Sequence, residues 1–290
     1  SFTELAFYKS ESDRTAHASY AFSSSKHRVG PDNYYLNQLT VDVDGVPTAI
    51  FAGKELYIDN YRYEERQRMV NVKKETYRFL QGLRGTRGDW DWETAFVKSQ
   101  AQSNDVTSNR LSNNLLKEAL FDSTPAAYNP FSAGVNSNIE RALVDVYRKG
   151  VSDLMMIDFK ISSNDLWEMP GGNMGMLFGL EYRDEEISDD RDPRLDGTIT
   201  YTDYEGDTYP LVGDVVNSSP TGDVSGSRNV VSVFTELQIP LTDTLDIQTA
   251  VRHESFSDYG DSTVAKLALG WEIAPWVDLR ASASTAFRAP

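Results

Sequence analysis

From Asn229 to the end of the chain, apolar and polar side chains alternate with a period of two, through runs separated by short breaks. In the last run Val277, Leu279, Ala281, Ala283 and Phe287 fall on one side, and Asp278, Arg280, Ser282, Ser284 and Arg288 on the other. The preceding run sets Ala265, Leu267, Leu269, Trp271 and Ile273 against Lys266, Ala268, Gly270 and Glu272. The run before that sets Leu245, Ile247, Thr249 and Val251 against Asp246, Gln248, Arg252 and Glu254. Successive side chains of a strand point to opposite faces, so these runs predict consecutive antiparallel strands with one apolar and one charged face. Tight breaks at 241–244 and 274–275 link them into an up-and-down meander.

Strand length decides what the apolar face meets. Strands of a soluble sandwich average about 5–6 residues. These runs last roughly ten to thirteen, enough to cross an apolar band of ~25 Å at a tilt near 45°. Short turns at one end and long loops at the other are the asymmetry of a transmembrane barrel. The predicted fold class is therefore all-β: an antiparallel up-and-down transmembrane β-barrel with long extracellular loops. Its apolar faces meet lipid and its charged faces line the lumen.

The earlier chain fits the same plan. Phe2 to Asp13 alternates loosely, and Asp44-Gly45 predicts a hairpin between residues 39–43 and 46–51 inside a long outer loop. A charged run over 61–84 turns at Gly85–Gly88 and returns as DWDWETAFVKSQ. There Trp90, Trp92 and Phe96 lie opposite Asp89, Asp91 and Glu93. Two tryptophans beside a tight turn suit an interfacial aromatic girdle. Residues 101–150 read as a functional loop, with partial helical spacing over 115–121 and 139–147 and a break at Asn129-Pro130-Phe131. A strand resumes at 151–167 with Met155, Ile157, Phe159 and Ile161 on one face, turns at Pro170-Gly171-Gly172, and returns over 174–186. An acidic stretch over 187–228 reads as a second long loop. About nine or ten strands result, with ligand capture expected in the loops around 102–149 and 187–227.

Composition narrows the function classes. The 290 residues carry a formal net charge of −16, which argues against nucleic-acid partners. Cysteine is absent, so there is no disulfide framework and no thiolate metal site. Mean hydropathy is −0.47, and no run approaches a transmembrane helix, a test that barrels escape because half of each strand is polar. Ser1 opens directly on a strand-like run and Pro290 falls at a strand end, so the chain is expected to be a fragment.

No catalytic, cofactor-binding or metal site emerges. GxxxxGK[ST] and GxGxxG are missing, and His17, His27 and His253 stand outside any HExxH spacing. Ser23-x-x-Lys26 lacks the partner motifs of a serine acyl-enzyme. Asp189, Asp190, Asp192 and Asp196 offer hard oxygens for calcium, but without an EF-hand's spacing they read better as a solvated acidic loop. Asp91/Glu93 and Glu181/Glu185 could be acid–base pairs; their strand spacing makes them lumen-facing charges instead. Trp90 and Trp92 could stack on sugar rings, and the girdle explains them better. The residues that bind a ligand are not identifiable from the sequence.

The closing run Leu279-Arg280-Ala281-Ser282-Ala283-Ser284-Thr285-Ala286-Phe287-Arg288-Ala289-Pro290 resembles the mid-barrel signature of TonB-dependent outer-membrane receptors. Trp90-Asp91-Trp92, Asn129-Pro130-Phe131, Pro170-Gly171-Gly172, Glu181-Tyr182-Arg183, Glu236 with Ile239-Pro240-Leu241, and Ser257-Asp258-Tyr259-Gly260 resemble further landmarks of that family, in its order. Ala286 stands where glycine is commoner, and Met169 where leucine is. The resemblance runs from about Tyr77 to Pro290.

It implies a partial receptor barrel over residues 1–290, part of a barrel of about 22 strands, without the family's plug domain, TonB box or C-terminal strands. It further implies a non-enzymatic receptor of the bacterial outer membrane. Such a receptor would import a scarce bulky nutrient, such as a siderophore, cobalamin or oligosaccharide, with energy from the TonB–ExbB–ExbD complex. Implied partners are that complex, outer-membrane lipid and the ligand. No cofactor is expected. The alternatives are a passive outer-membrane porin and a secreted β-sandwich that binds or hydrolyses polysaccharide.

Overall fold

The computed structural model describes residues 1–21, 27–51 and 53–288. Its dominant element is one nine-stranded sheet in which every neighbour in space is also the neighbour in sequence. The strands are β1 (Phe2–Ala16), β2 (Arg68–Arg87), β3 (Trp90–Leu111), β4 (Leu143–Met169) and β5 (Gly172–Arg191). They continue as β6 (Val224–Thr242), β7 (Leu245–Phe256), β8 (Gly260–Ala274) and β9 (Val277–Ser284). All pairings are antiparallel. The sheet is open, since β1 and β9 do not pair with each other. The meander and its tight turns match the sequence reading.

Register makes the two faces explicit. One hydrogen-bonded row runs Trp92–Ile161–Phe178–Thr235–Val251–Ala265 across six strands, and all these residues share a face. On that face Leu5, Phe7, Phe79, Ile157, Leu180, Leu267 and Leu279 are exposed. Leu5, at 78% exposure, would be costly in water and is at home in lipid. The opposite face carries the row Ala95–Asp158–Glu181–Ser232–Glu254, in which Asp158 and Ser232 are buried. It is the inner face. All five tryptophans lie toward the tight-turn end: Trp90, Trp92, Trp167, Trp271 and Trp276. That is where amphipathic rings settle at a headgroup boundary.

The strands exceed the expected lengths. At 27 residues, β4 covers roughly 90 Å, more than twice the ~35 Å that a tilted crossing of the apolar band needs. The regions expected as loops at 102–149 and 187–227 therefore shrink, because β3 runs on to Leu111, β4 starts at Leu143, β5 ends at Arg191 and β6 starts at Val224. The helical spacing at 139–147 yields only a 3-10 turn, Ile139–Ala142, before β4 takes over. The expected break at Gly85 also falls inside β2, whose turn lies at Gly88 and Asp89.

The connections after β1, β3 and β5 do not hang free. They fold together into a cap with its own apolar core: Val29, Leu36, Ile58 and Tyr63 from the first, Leu116, Leu120, Tyr128 and Ile139 from the second, and Val216 from the third. A helix, α1 (Asn113–Phe121), supplies the centre; Ser112 caps it by accepting from the Leu115 amide at 3.2 Å. The hairpin signalled by Asp44-Gly45 is present as Thr40–Val43 paired with Val46–Ala49, and it projects from the cap.

Candidate functional site

Two surfaces can hold something: the inner face of the sheet and the cap above it. Strand alternation builds the first, since every second residue of β1–β9 points inward. Its charges are cross-linked between strands. Arg252 donates to Glu181 at 3.1 Å and to the Ser232 hydroxyl at 3.0 Å, and its Nε reaches Glu254 at 2.9 Å. Arg228 donates to Glu185 at 2.8 Å, and Arg183 lies 3.0 Å from the same carboxylate. Arg148 forms a two-pronged pair with Asp189 at 2.7 and 2.8 Å, while Arg191 adds a third contact at 3.1 Å. Planar guanidinium forks suit such pairs, and spread across strands they fix which side chains face the lumen.

The upper inner face is hollowed into a trough of about 510 Å³ whose walls include Tyr8, Lys74, Ser103, Asp105, Arg148 and Asp189. Above it stand Arg14, Arg68 and Arg110. Arg68 is held by His17, through the carbonyl oxygen at 2.8 Å and ring Nδ1 at 3.0 Å. Arg110 donates to the Val216 carbonyl at 3.3 Å, so the third connection is seated on it.

The cap is locked by buried polar groups. His27 Nε2 lies 2.9 Å from Asn113 Oδ1 and Nδ1 lies 2.7 Å from the Tyr63 hydroxyl. Asn113 Oδ1 can only accept, so Nε2 carries the proton and Nδ1 accepts from Tyr63. Burial pushes His27 below its ordinary value and Tyr63 and Tyr128 well above theirs. Asp214 is fully buried; it accepts from the Ser112 hydroxyl at 2.9 Å and the Asn114 amide at 3.0 Å, and pairs with Arg194. These bonds join all three connections into one unit.

Each sequence candidate now has a place. Asp91, Glu93, Glu181 and Glu185 are inward, as expected; Asp91 accepts from Thr86 at 2.5 Å, and the two glutamates are ion-paired as above. Trp90 and Trp92 lie on the outer face. Three of the four carboxylates in the acidic run at 189–196 are engaged internally: Asp189 by arginines, Asp192 as cap of the Pro193–Asp196 turn, Asp196 by the Thr198 amide. No cluster able to hold a metal occurs among the described residues. His253 contacts Thr263 at 2.8 Å, apart from His17 and His27. Ser23 and Lys26 lie outside the described residues.

The sequence reading missed Ser112, Asn113, Asp214, Arg194 and the role of His27. Only Ser112 left a signal: a capping residue ahead of the apolar spacing Leu115, Leu116, Ala119, Leu120. The others meet partners 20 to 102 residues away along the chain, separations that no local pattern spans.

An open antiparallel wall, apolar and exposed outside, charged and cross-linked inside, with its tryptophans at the tight-turn end, defines a piece of a membrane β-barrel. The chain belongs to the family described as TonB dependent receptor-like, beta-barrel, whose sequence model matches residues 9–290. No curated protein sequence matches it. Among solved structures it is similar to the ferric enterobactin receptor of Pseudomonas aeruginosa in one mutant form, at 14% identity and a TM-score of 0.44, over 77% of this chain and 31% of the receptor. A second mutant of that receptor, in complex with enterobactin, is similar at 12% identity and a TM-score of 0.34, over 99% of this chain and 40% of the receptor. The chain thus spans well under half the length of these structures.

Proposed function

We propose that this chain forms part of the wall and the ligand-facing cap of an outer-membrane receptor. That receptor imports a scarce, bulky nutrient with energy delivered by the TonB–ExbB–ExbD complex. The observation that carries the reading is the family match over residues 9–290, on a sheet whose outer face suits lipid and whose inner face is lined with paired charges.

The physical division of labour follows from the two faces. Closed strands satisfy every backbone group in lipid, so the nine strands need further strands to complete the wall. The wide lumen of so large a barrel must be obstructed to prevent leakage, and its charged lining offers the obstruction many polar contacts. Cargo reaches the cap and the upper trough first. No covalent step is needed, and none of the carboxylate pairs is aimed at a nucleophile.

Uptake by cells carrying the complete gene, with TonB intact and deleted, tests the proposal. Accumulation of a limiting nutrient that depends on both supports it. Uptake unchanged by loss of TonB would instead make the protein a passive porin.

A further inference from the structure

The outer face of β1–β4 is not uniformly apolar. Toward the loop end it is hollowed into a groove of about 490 Å³, walled on β1 and β2 by Leu5, Phe7, Tyr77 and Phe79. Its other wall is Lys98, Gln100 and Asp153, on β3 and β4. Register places all of these side chains on the same face as Trp92 and Ile161, so the groove opens away from the lumen.

The first wall is aromatic. The Phe7 and Tyr77 rings lie 5.0 Å apart, and Phe79 lies 6.3 Å from Phe96. The Tyr77 hydroxyl donates to Glu75 at 3.3 Å, so this ring has an apolar body and a bonded polar tip, as rings at a headgroup boundary do. The second wall is a polar network. Gln100 donates to both oxygens of Asp153, at 3.1 and 3.2 Å, and Lys98 lies 3.4 Å from the same carboxylate. Gln102 extends the network by donating to Gln100 at 2.7 Å.

Lys98 fixes the height of the groove. Its cross-strand neighbours are Phe79 and Met155, so a charge stands between two apolar side chains of the outer face. A charge on that face is costly at the bilayer midplane and tolerated where the apolar band ends. The groove therefore straddles the level at which acyl chains give way to headgroups, toward the end opposite the tryptophans. Its polar wall stands on strands that have a neighbour on either side, so further strands of the receptor do not cover it.

We propose that this groove binds one glycolipid of the outer leaflet, with an acyl chain along Leu5, Phe7 and Phe79 and a sugar against Tyr77, Lys98, Gln100 and Asp153. The inference rests on the outer-membrane reading, which sets lipid against this face and the loops outside. Asp153 selects the headgroup. A carboxylate repels a phosphate placed on it, but it accepts from sugar hydroxyls, while the spare donors of Lys98 serve their oxygens or an acidic substituent. A free oligosaccharide is the wrong source, because the groove faces lipid and half of it is apolar.

Native mass spectrometry of the purified full-length receptor in detergent, titrated with rough-type lipopolysaccharide or with phosphatidylglycerol, tests this. The Lys98→Ala/Gln100→Ala double variant is the comparison, since neither side chain is buried. Lys149→Gln is the control: it too faces outward, but it stacks on Tyr147 outside the groove. The expected result is saturable lipopolysaccharide binding, about tenfold weaker in the double variant and unchanged in the control, with phosphatidylglycerol about tenfold weaker than lipopolysaccharide. Absence of lipopolysaccharide binding to folded receptor, equal retention of phosphatidylglycerol, an unaffected double variant, or an equal loss in the control overturns the proposal. A receptor that inserts into bilayers without this preference refutes the groove alone. One that stays monomeric in water without detergent refutes the membrane reading with it.

Discussion

The ring of Phe234 on β6 lies against Gly179 on β5, its direct cross-strand partner, where a Cβ on Gly179 would come within 2.2 Å of the ring. Phe2 lies over Gly82 in the same manner, and Trp92 over Gly85. In each case a glycine makes room for an aromatic ring that covers two strands. Gly179→Val should therefore destabilise the assembled barrel by about 1–3 kcal/mol through overpacking. The Gly179→Val/Phe234→Ala double variant should recover part of that loss. Heat-modifiability of the full-length protein on gels reports it; an unaffected single variant would remove the packing argument.

Polarity across the wall predicts unequal costs for the same substitution. Leu267→Arg on the outer face should cost roughly 2–4 kcal/mol if it sits near the bilayer midplane. Gln248→Arg points inward and should cost far less. Unfolding titrations in lipid bilayers measure both, and equal costs would show the faces to be assigned wrongly.

The lower wall is legible in the sequence and the cap is not, for a physical reason. In TVAKLALGWEI one face must be apolar because lipid touches it, so the period of two is visible directly. In QAQSNDVTSN both faces meet water, so the hydrophobic period vanishes while the ladder to β2 and β4 continues as far as Thr107. Alternation reports solvent contrast, and strand pairing outlasts it. The cap escapes for another reason: its core joins Val29, Leu116 and Val216, which no window of the sequence holds together.

Acid should loosen the cap. Burial keeps His27 neutral in the folded state, below its ordinary value near 6.5, so the unfolded cap takes up a proton first. The stabilisation is complete above about 6.5 and declines as pH falls from there toward the folded-state value. Hydrogen exchange over α1 and residues 27–36 should accelerate between neutral and mildly acidic pH, while β7 and β8 remain unchanged. His27→Gln should flatten that dependence.

The buried Asp214 joins the second and third connections. Asp214→Ala removes acceptors from the Ser112 hydroxyl and Asn114 amide and leaves Arg194 unpaired, a loss of about 3–5 kcal/mol for a buried pair broken on one side. Limited proteolysis should then cut within residues 192–223 while the strands stay intact. A cap as resistant as the unmodified one would show that Asp214 does not hold it.

The central claim is that β1–β9 are membrane-spanning strands with a lipid-facing and a lumen-facing side. These 290 residues contain no cysteine, so with any cysteine elsewhere in the receptor replaced, spin labels at single positions along β8 and β9 in outer membranes read that claim directly. Leu267→Cys, Leu269→Cys, Leu279→Cys and Ala281→Cys should give labels accessible to oxygen and shielded from a water-soluble nickel chelate. Lys266→Cys, Ala268→Cys, Arg280→Cys and Ser282→Cys should show the opposite phase. Residue-by-residue alternation is the predicted result; uniform accessibility to the nickel chelate along both strands would contradict it.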